Sequence, residues 1–297
     1  MISVSDLRMR YSDTQVLDGI DLEVKAEEVV AVLGPNGAGK STTIEILEGF
    51  RAPSGGQVSV LGVDPARGDD AWRSQIGVVL QNSSDHGKWR PLQLLSYLAD
   101  FYRPYVDPWP IAELLELVGL TSQAKQKIHT LSGGQRRRLD VALGIIGRPS
   151  LLFLDEPTTG FDPRAKREFH DLVHRLGDLE GTTIILTTHD LAEAEKLADR
   201  IVILAGGRII ADGSPPALMR EVGSTAEVRW IQNGQLHVHA SENATDFVRH
   251  LLAGAAGEEI TGLTVQRATL EDAYLSIVEK FESGQAIEAA HFTEAAR

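Results

Sequence analysis

Val29-Val30-Ala31-Val32-Leu33-Gly34-Pro35-Asn36-Gly37-Ala38-Gly39-Lys40-Ser41-Thr42 decides how this 297-residue chain is to be read. The continuous apolar run suits a strand buried on both faces of a parallel sheet. The segment from Gly34 to Ser41 fits G-x-x-x-x-G-K-[ST]. Its glycines let backbone N–H groups face phosphate oxygens without a Cβ in the way. Thr42 to Glu48 has helical composition and Gly49 is a stop, so the loop ends on a helix N-terminus whose dipole favours an anion. Gly34, Pro35, Asn36, Gly37, Ala38, Gly39, Lys40, Ser41 and Thr42 form the expected phosphate cradle. Lys40 is expected to reach the outer phosphates and the Ser41 hydroxyl to ligate Mg2+. The bland alternative is a chance glycine turn, and the strand before and helix after weigh against it.

Two other stretches complete the chemistry. Leu151-Leu152-Phe153-Leu154-Asp155-Glu156 is an apolar strand ending in two carboxylates. Asp155 suits the Mg2+ shell, and Glu156 is placed to polarise an attacking water. Phosphoryl transfer needs mainly positioning and charge neutralisation, which these groups supply. Leu131-Ser132-Gly133-Gly134-Gln135 precedes a helix expected over Gln135 to Ile146. A glycine-rich helix start with a free hydroxyl is a second anion site, here without a lysine of its own. A simple N-cap accounts for Ser132 but not for the glycine pair or Gln135. Two phosphate-reading elements beside one set of catalytic groups imply a nucleotide shared between two copies of the chain.

Composition bounds the class. With 42% hydrophobic and 24% charged residues the chain reads as globular. There are no cysteines, which removes disulfides, thiolate catalysis and Cys-based zinc sites. The net charge of -13 argues against a general nucleic-acid binder. Arg136-Arg137-Arg138 reads as a solvated helix face with one buried stem. No apolar run is long enough for a membrane-spanning helix, and the N-terminus lacks the pattern of a secretory signal.

Strand patterns at Ile2 to Val4 and Val16 to Val24 precede the loop, and short strands follow at Gln57 to Leu61 and Ile76 to Leu80. Residues from about 88 to 148 turn helical, with Leu92, Leu95, Leu98 and Ala99 on one face and Ile111, Leu114, Leu115 and Val118 on another. From 150 the pattern alternates strand and helix, which implies a mainly parallel sheet covered on both faces. Gly206-Gly207 predicts a hairpin. Residues 221–282 read as a small accessory α+β domain, with an Asn233-Gly234 hairpin and a capping box at Thr269 to Asp272. Residues 283–297 read as a flexible tail.

In order and spacing, the loop at Gly34 to Ser41, Leu131 to Gln135, Leu151 to Glu156 and a later His189 resemble the ATP-binding cassette family over about residues 1–220. The resemblance implies an α/β fold: a P-loop NTPase core, an N-terminal antiparallel β subdomain, an inserted helical subdomain and the small C-terminal domain. It implies ATP and Mg2+ as cofactors. It places Tyr11 on the adenine, although a lone strand tyrosine is as often core. It gives Gln81 contact with Mg2+ or the attacking water, and His189 contact with the γ-phosphate. Asp162, in Gly160-Phe161-Asp162, addresses the P-loop of a second copy, and Ser132 to Gln135 face the γ-phosphate held there. The implied function is the ATP-hydrolysing subunit of a transporter. It dimerises around two ATP and drives a separate polytopic membrane subunit from the cytoplasmic face. The ending around Thr269 to Leu275 and the run Gln135 to Asp140 are similar to drug-resistance-type exporters. An importer ATPase and a non-transport member acting in DNA repair or translation are the alternatives. Chromosome-type members carry a long coiled-coil insert that is missing between Ser41 and Leu131. Asn82 to Arg90 departs from the subgroup's common sequence, and its Trp89 and Arg90 read either as a dock for the membrane subunit or as a surface loop.

Overall fold

The computed structural model describes residues 1–80, 86–221, 226–241, 243–254, 260–266, 269–284 and 290–292. The chain opens with β1 (Ile2–Tyr11) and β2 (Thr14–Val24), paired antiparallel with Ile2 opposite Val24. Alternation buries Ile2, Val4, Leu7 and Met9, and register shifts after Val4, Leu7 and Met9 re-aim the strand. β3 (Val29–Leu33) is buried along its whole length, as a central strand of a doubly covered sheet must be. It feeds the glycine loop and α1 (Lys40–Leu47). β4 (Gly55–Val60) pairs antiparallel with β1, giving the order β2-β1-β4.

The short α2 (Asp70–Arg73) is capped by Asp69 and carries no periodicity that the sequence could display. It seats the buried Trp72, whose Nε1 donates to the Val60 carbonyl at 2.8 Å. After β5 (Ile76–Val79) the helical segment comprises α3 (Pro91–Tyr102), α4 (Ile111–Leu117) and α5 (Gly133–Ile145). On α3 the buried face is Leu94, Leu95 and Ala99; Leu92 and Leu98, expected there, are only half-buried. β6 (Leu151–Asp155), α6 (Pro163–Glu180), β7 (Thr183–Thr187), α7 (Leu191–Leu197) and β8 (Arg200–Ala205) follow. The parallel strands run in the order β5-β6-β7-β3-β8. The carboxyl ends of β3, β6 and β7 therefore share one edge, where open α/β sheets bind ligands. One core joins Val30, Val32, Ile46, Leu47, Phe153 and Ile185 to Leu7, Leu17 and Ile20 of the antiparallel sheet.

Two compact units divide the chain, Met1–Ile209 and Ile210–Arg297, and the crossing falls within β9 (Arg208–Gly213). Gly206 and Gly207 precede it with φ of 54° and 76°, the two-residue turn expected there. In the second unit come α8 (Pro215–Glu221), β10 (Ala226–Gln232) and β11 (Gln235–Ser241). Asn233 and Gly234 take φ of 53° and 75° in the β10–β11 turn. α9 (Ala244–Gly254), β12 (Ile260–Gln266), α10 (Leu270–Glu282) and β13 (Ala290–Phe292) complete the unit. Its small sheet has the order β11-β10-β12. The division differs from the boundary expected at 220, because α8 packs on α10 and so groups with the C-terminal unit. Residues 290–292, expected to be flexible tail, form β13, which pairs parallel with Ala211 to Gly213 of β9.

Candidate active site

Three glycines of the loop sit in the left-handed region, at φ 155° for Gly34, 80° for Gly37 and 103° for Gly39. At Gly34 a Cβ would lie 2.1 Å from the Leu204 carbonyl oxygen, and at Gly39 it would lie 2.4 Å from the Leu17 side chain. The loop's path is thus set both by backbone conformation and by close approach to β8 and β2. Lys40 follows at the first position of α1. Its buried Nζ donates to the carbonyls of Gly34 at 2.8 Å and Pro35 at 3.1 Å. Burial pulls the ammonium below its ordinary pKa, against the opposing pull of Glu156 and Asp155.

The loop borders a cavity of about 650 Å³. Asn36, Gly37, Gly39, Lys40, Ser41 and Thr42 line one wall, and Asp155, Glu156 and His189 line another. Val16 of β2 adds an apolar surface that sequence reasoning missed, since nothing sets it apart from other strand valines. Asp155 ends β6, where Thr187 Oγ1 donates to its Oδ1. Glu156 adopts φ 43°, a conformation that costs about 1–3 kcal/mol for a residue with a side chain. Its backbone N–H donates to the Thr187 carbonyl and hydroxyl, both at 3.1 Å, which holds the strained turn. Thr159 Oγ1 donates to Glu156 Oε2 at 3.1 Å, and His189 Nδ1 lies 3.3 Å from Glu156 Oε1. The carboxylate thus stands at the cavity wall, held from two sides. Thr187 and Thr159 were not anticipated; a threonine at a strand end or in a turn has no distinctive signal.

Ser41 and Asp155 suit Mg2+. A hydroxyl and one carboxylate beside a phosphate site are the modest set this ion takes, with substrate oxygens and water completing its shell. Gln81, expected to assist, lies outside the described residues.

The remaining expected residues stand apart from this cavity. Ser132 caps α5, accepting from the Gln135 N–H at 3.3 Å, while Gln135 Oε1 accepts from the Ser132 N–H at 3.0 Å. This reciprocal capping box corrects the expectation that a cap would leave Gln135 unexplained. A Cβ on Gly134 would meet Ala165 at 3.3 Å, whereas one on Gly133 would meet nothing within 4 Å. Asp162 caps α6, accepting from the N–H groups of Arg164 and Ala165 at 2.9 and 2.8 Å. Phe161 packs edge-on against the buried Phe169, with centroids 6.0 Å apart. Ser132, Gly133, Gly134, Gln135 and Asp162 do not line the cavity of their own chain. Tyr11 does not line it either: Arg51 lies over its ring at 5.0 Å and pairs in turn with Glu45.

Comparison with known proteins shows the family. The model of the ABC transporter family matches residues 17–159. Over 229 residues the chain is 43% identical to the daunorubicin/doxorubicin resistance ATP-binding protein DrrA of Streptomyces peucetius, covering 75% of this chain and 68% of that protein. It is 38% identical over 270 residues to the Nod factor export ATP-binding protein I of Rhizobium meliloti, covering 89% and 76% of the two chains. Among solved structures, the ATP-binding subunit of an ABC transporter superposes with a TM-score of 0.65 at 28% identity, covering 74% of this chain and 92% of that one.

Proposed function

The chain belongs to the ABC transporter family, and from that premise we propose that it is the ATP-hydrolysing subunit of an exporter. Two copies close around two ATP and reopen after hydrolysis. One observation carries the reading: Lys40, Ser41, Asp155, Glu156 and His189, drawn from two strand ends and a helix start, line one cavity. Lys40 and the loop N–H groups bind the phosphates. Ser41 and Asp155 would hold Mg2+, which supplies charge neutralisation at the transferred group. Glu156 accepts a proton from the attacking water, and His189 orients Glu156 and faces the terminal phosphate.

The groups that do not line the cavity complete this reading. The α5 start and Asp162 serve the nucleotide bound by the second copy. Export follows from the relatives, which are named for drug resistance and for Nod factor export. A separate polytopic membrane subunit holds the chain at the cytoplasmic face. Its contact is a solvent-facing aromatic row of Trp89, Tyr97 and Phe101, with centroid separations of 5.5 and 5.1 Å.

Glu156→Gln tests the proposal. The purified variant should bind ATP, lose turnover by about two orders of magnitude or more and accumulate as an ATP-dependent dimer in light scattering. Hydrolysis at the wild-type rate would remove Glu156 from the mechanism, and a variant that stays monomeric in saturating ATP would remove the shared nucleotide.

A further inference from the structure

Arg137 lies in the second turn of α5, two residues beyond Gln135, and only 7% of it is exposed. The expectation of one buried stem among three arginines is met here, but the head is buried as well. Its guanidinium reaches three backbone carbonyls on two other segments. Nη1 donates to Leu80, Nη2 to Asp155 at 2.9 Å, and Nε to Pro157 at 2.9 Å. Leu80 directly precedes Gln81, and Asp155 and Pro157 flank Glu156. The planar fork of arginine can serve three acceptors at fixed angles, which the single ammonium of lysine cannot reproduce.

We propose that Arg137 is a positioning residue for hydrolysis. It ties the helix that reads the neighbour's nucleotide to the backbone that presents Asp155 and Glu156 to the nucleotide of its own chain. A shift of α5 when the second copy docks must then carry the strand ends with it, or break three buried hydrogen bonds. This rests on the reading of Glu156 as the group that activates water. A plain structural staple would predict something else: loss of folding, ATP binding and turnover together.

The test uses the full chain with Arg137→Lys, alone and combined with Glu156→Gln. Arg137→Lys should lower kcat by about tenfold to a hundredfold, the scale of a misplaced catalytic group. KM for ATP should stay within about twofold, the signature of an interaction that matters after binding. The double variant should form its ATP-dependent dimer at the same ATP concentration as Glu156→Gln alone. As a second variant, Arg137→Ala should regain turnover when methylguanidinium is added to refill the vacated site. The inference is overturned by a kcat within about twofold of wild type, by dimerisation lost in step with turnover, by no rescue, or by failure of both variants to fold. Normal hydrolysis by Glu156→Gln would instead sink the underlying reading. An inactive Glu156→Gln beside a fully active Arg137→Lys would sink this inference alone.

Discussion

Gly133 meets nothing within 4 Å of where its Cβ would be, and its φ is not positive. Nothing among the described residues of the chain therefore demands a glycine there. Gly133→Ala should leave the thermal midpoint unchanged or raise it slightly, since alanine favours a helix over glycine by about 0.5–1 kcal/mol. Turnover should nevertheless drop by about tenfold or more if the neighbour's nucleotide approaches this backbone closely. Wild-type turnover in that variant would argue that no anion comes near. Glu48 poses the opposite question, because it is an acidic side chain that is buried. Its Oε1 has no hydrogen-bond partner among the described residues, and burial, reinforced by the charges of Asp155 and Glu45, pushes its carboxyl from 4.5 up to about 8. Between those values the folded chain keeps a proton that the unfolded chain releases. Stability therefore falls as pH rises through that window, by an amount of the order of a few kcal/mol. Glu48→Gln cannot ionise. Its melting temperature relative to wild type should climb as pH is raised from about 5 to about 8.5, and a flat difference would place a charged Glu48 in the folded state. The glycine loop was legible at this scale because its residues have few other uses in that order. Glu48 and the buried head of Arg137 were not, since burial of a charged group is set by neighbours distant in sequence.

Helix ends carry much of the site at the scale of elements. α5 and α6 both begin with side-chain caps, at Ser132 and at Asp162. A cap of this kind stabilises by about 1 kcal/mol, which accounts for these residues without any ligand. The same N-termini can also present N–H groups to a second molecule, so capping and binding are compatible uses of one geometry. Element order and most boundaries were legible from period and punctuation: β3 and β6 fall where the sequence put them, at Val29–Leu33 and Leu151–Asp155. α2 was not, because four residues cannot show a helical period. The buried face of α3 was legible only in part, at Leu95 and Ala99, since Leu92 and Leu98 are half-buried and the helix also carries exposed aromatics. There Tyr97 and Phe101 stand one turn apart, 51% and 57% exposed, with Trp89 against Tyr97. This aromatic row is the surface that the proposed membrane subunit would cover. Trp89→Ala should leave the isolated chain's ATP turnover and melting temperature as they were, while the membrane subunit no longer co-purifies in detergent. Undiminished co-purification would move the dock elsewhere.

Among the described residues, those lining the nucleotide cavity, from Val16 to His189, belong to the unit Met1–Ile209. The sequence registered a change of character at about residue 220. It could not register that α8 packs on α10, because that grouping depends on a contact some fifty residues along the chain. Each unit has its own buried set, with Trp72, Phe153 and Phe169 in the first and Val228, Trp230, Leu270 and Ala273 in the second. A chain built this way need not unfold in one step. Calorimetry should resolve two transitions in the nucleotide-free chain. A ligand binding only the first unit stabilises only that unit, by about 2.7 kcal/mol at a hundredfold excess over its dissociation constant. For a unit of this size the shift is roughly 5–10 °C. In the inactive Glu156→Gln variant, where ATP persists through the scan, one transition should move by that amount and the other stay in place. A single transition that ATP raises as a whole would mean that the C-terminal unit draws its stability from the cassette, and its surface would then have to be read as part of the nucleotide-responsive body.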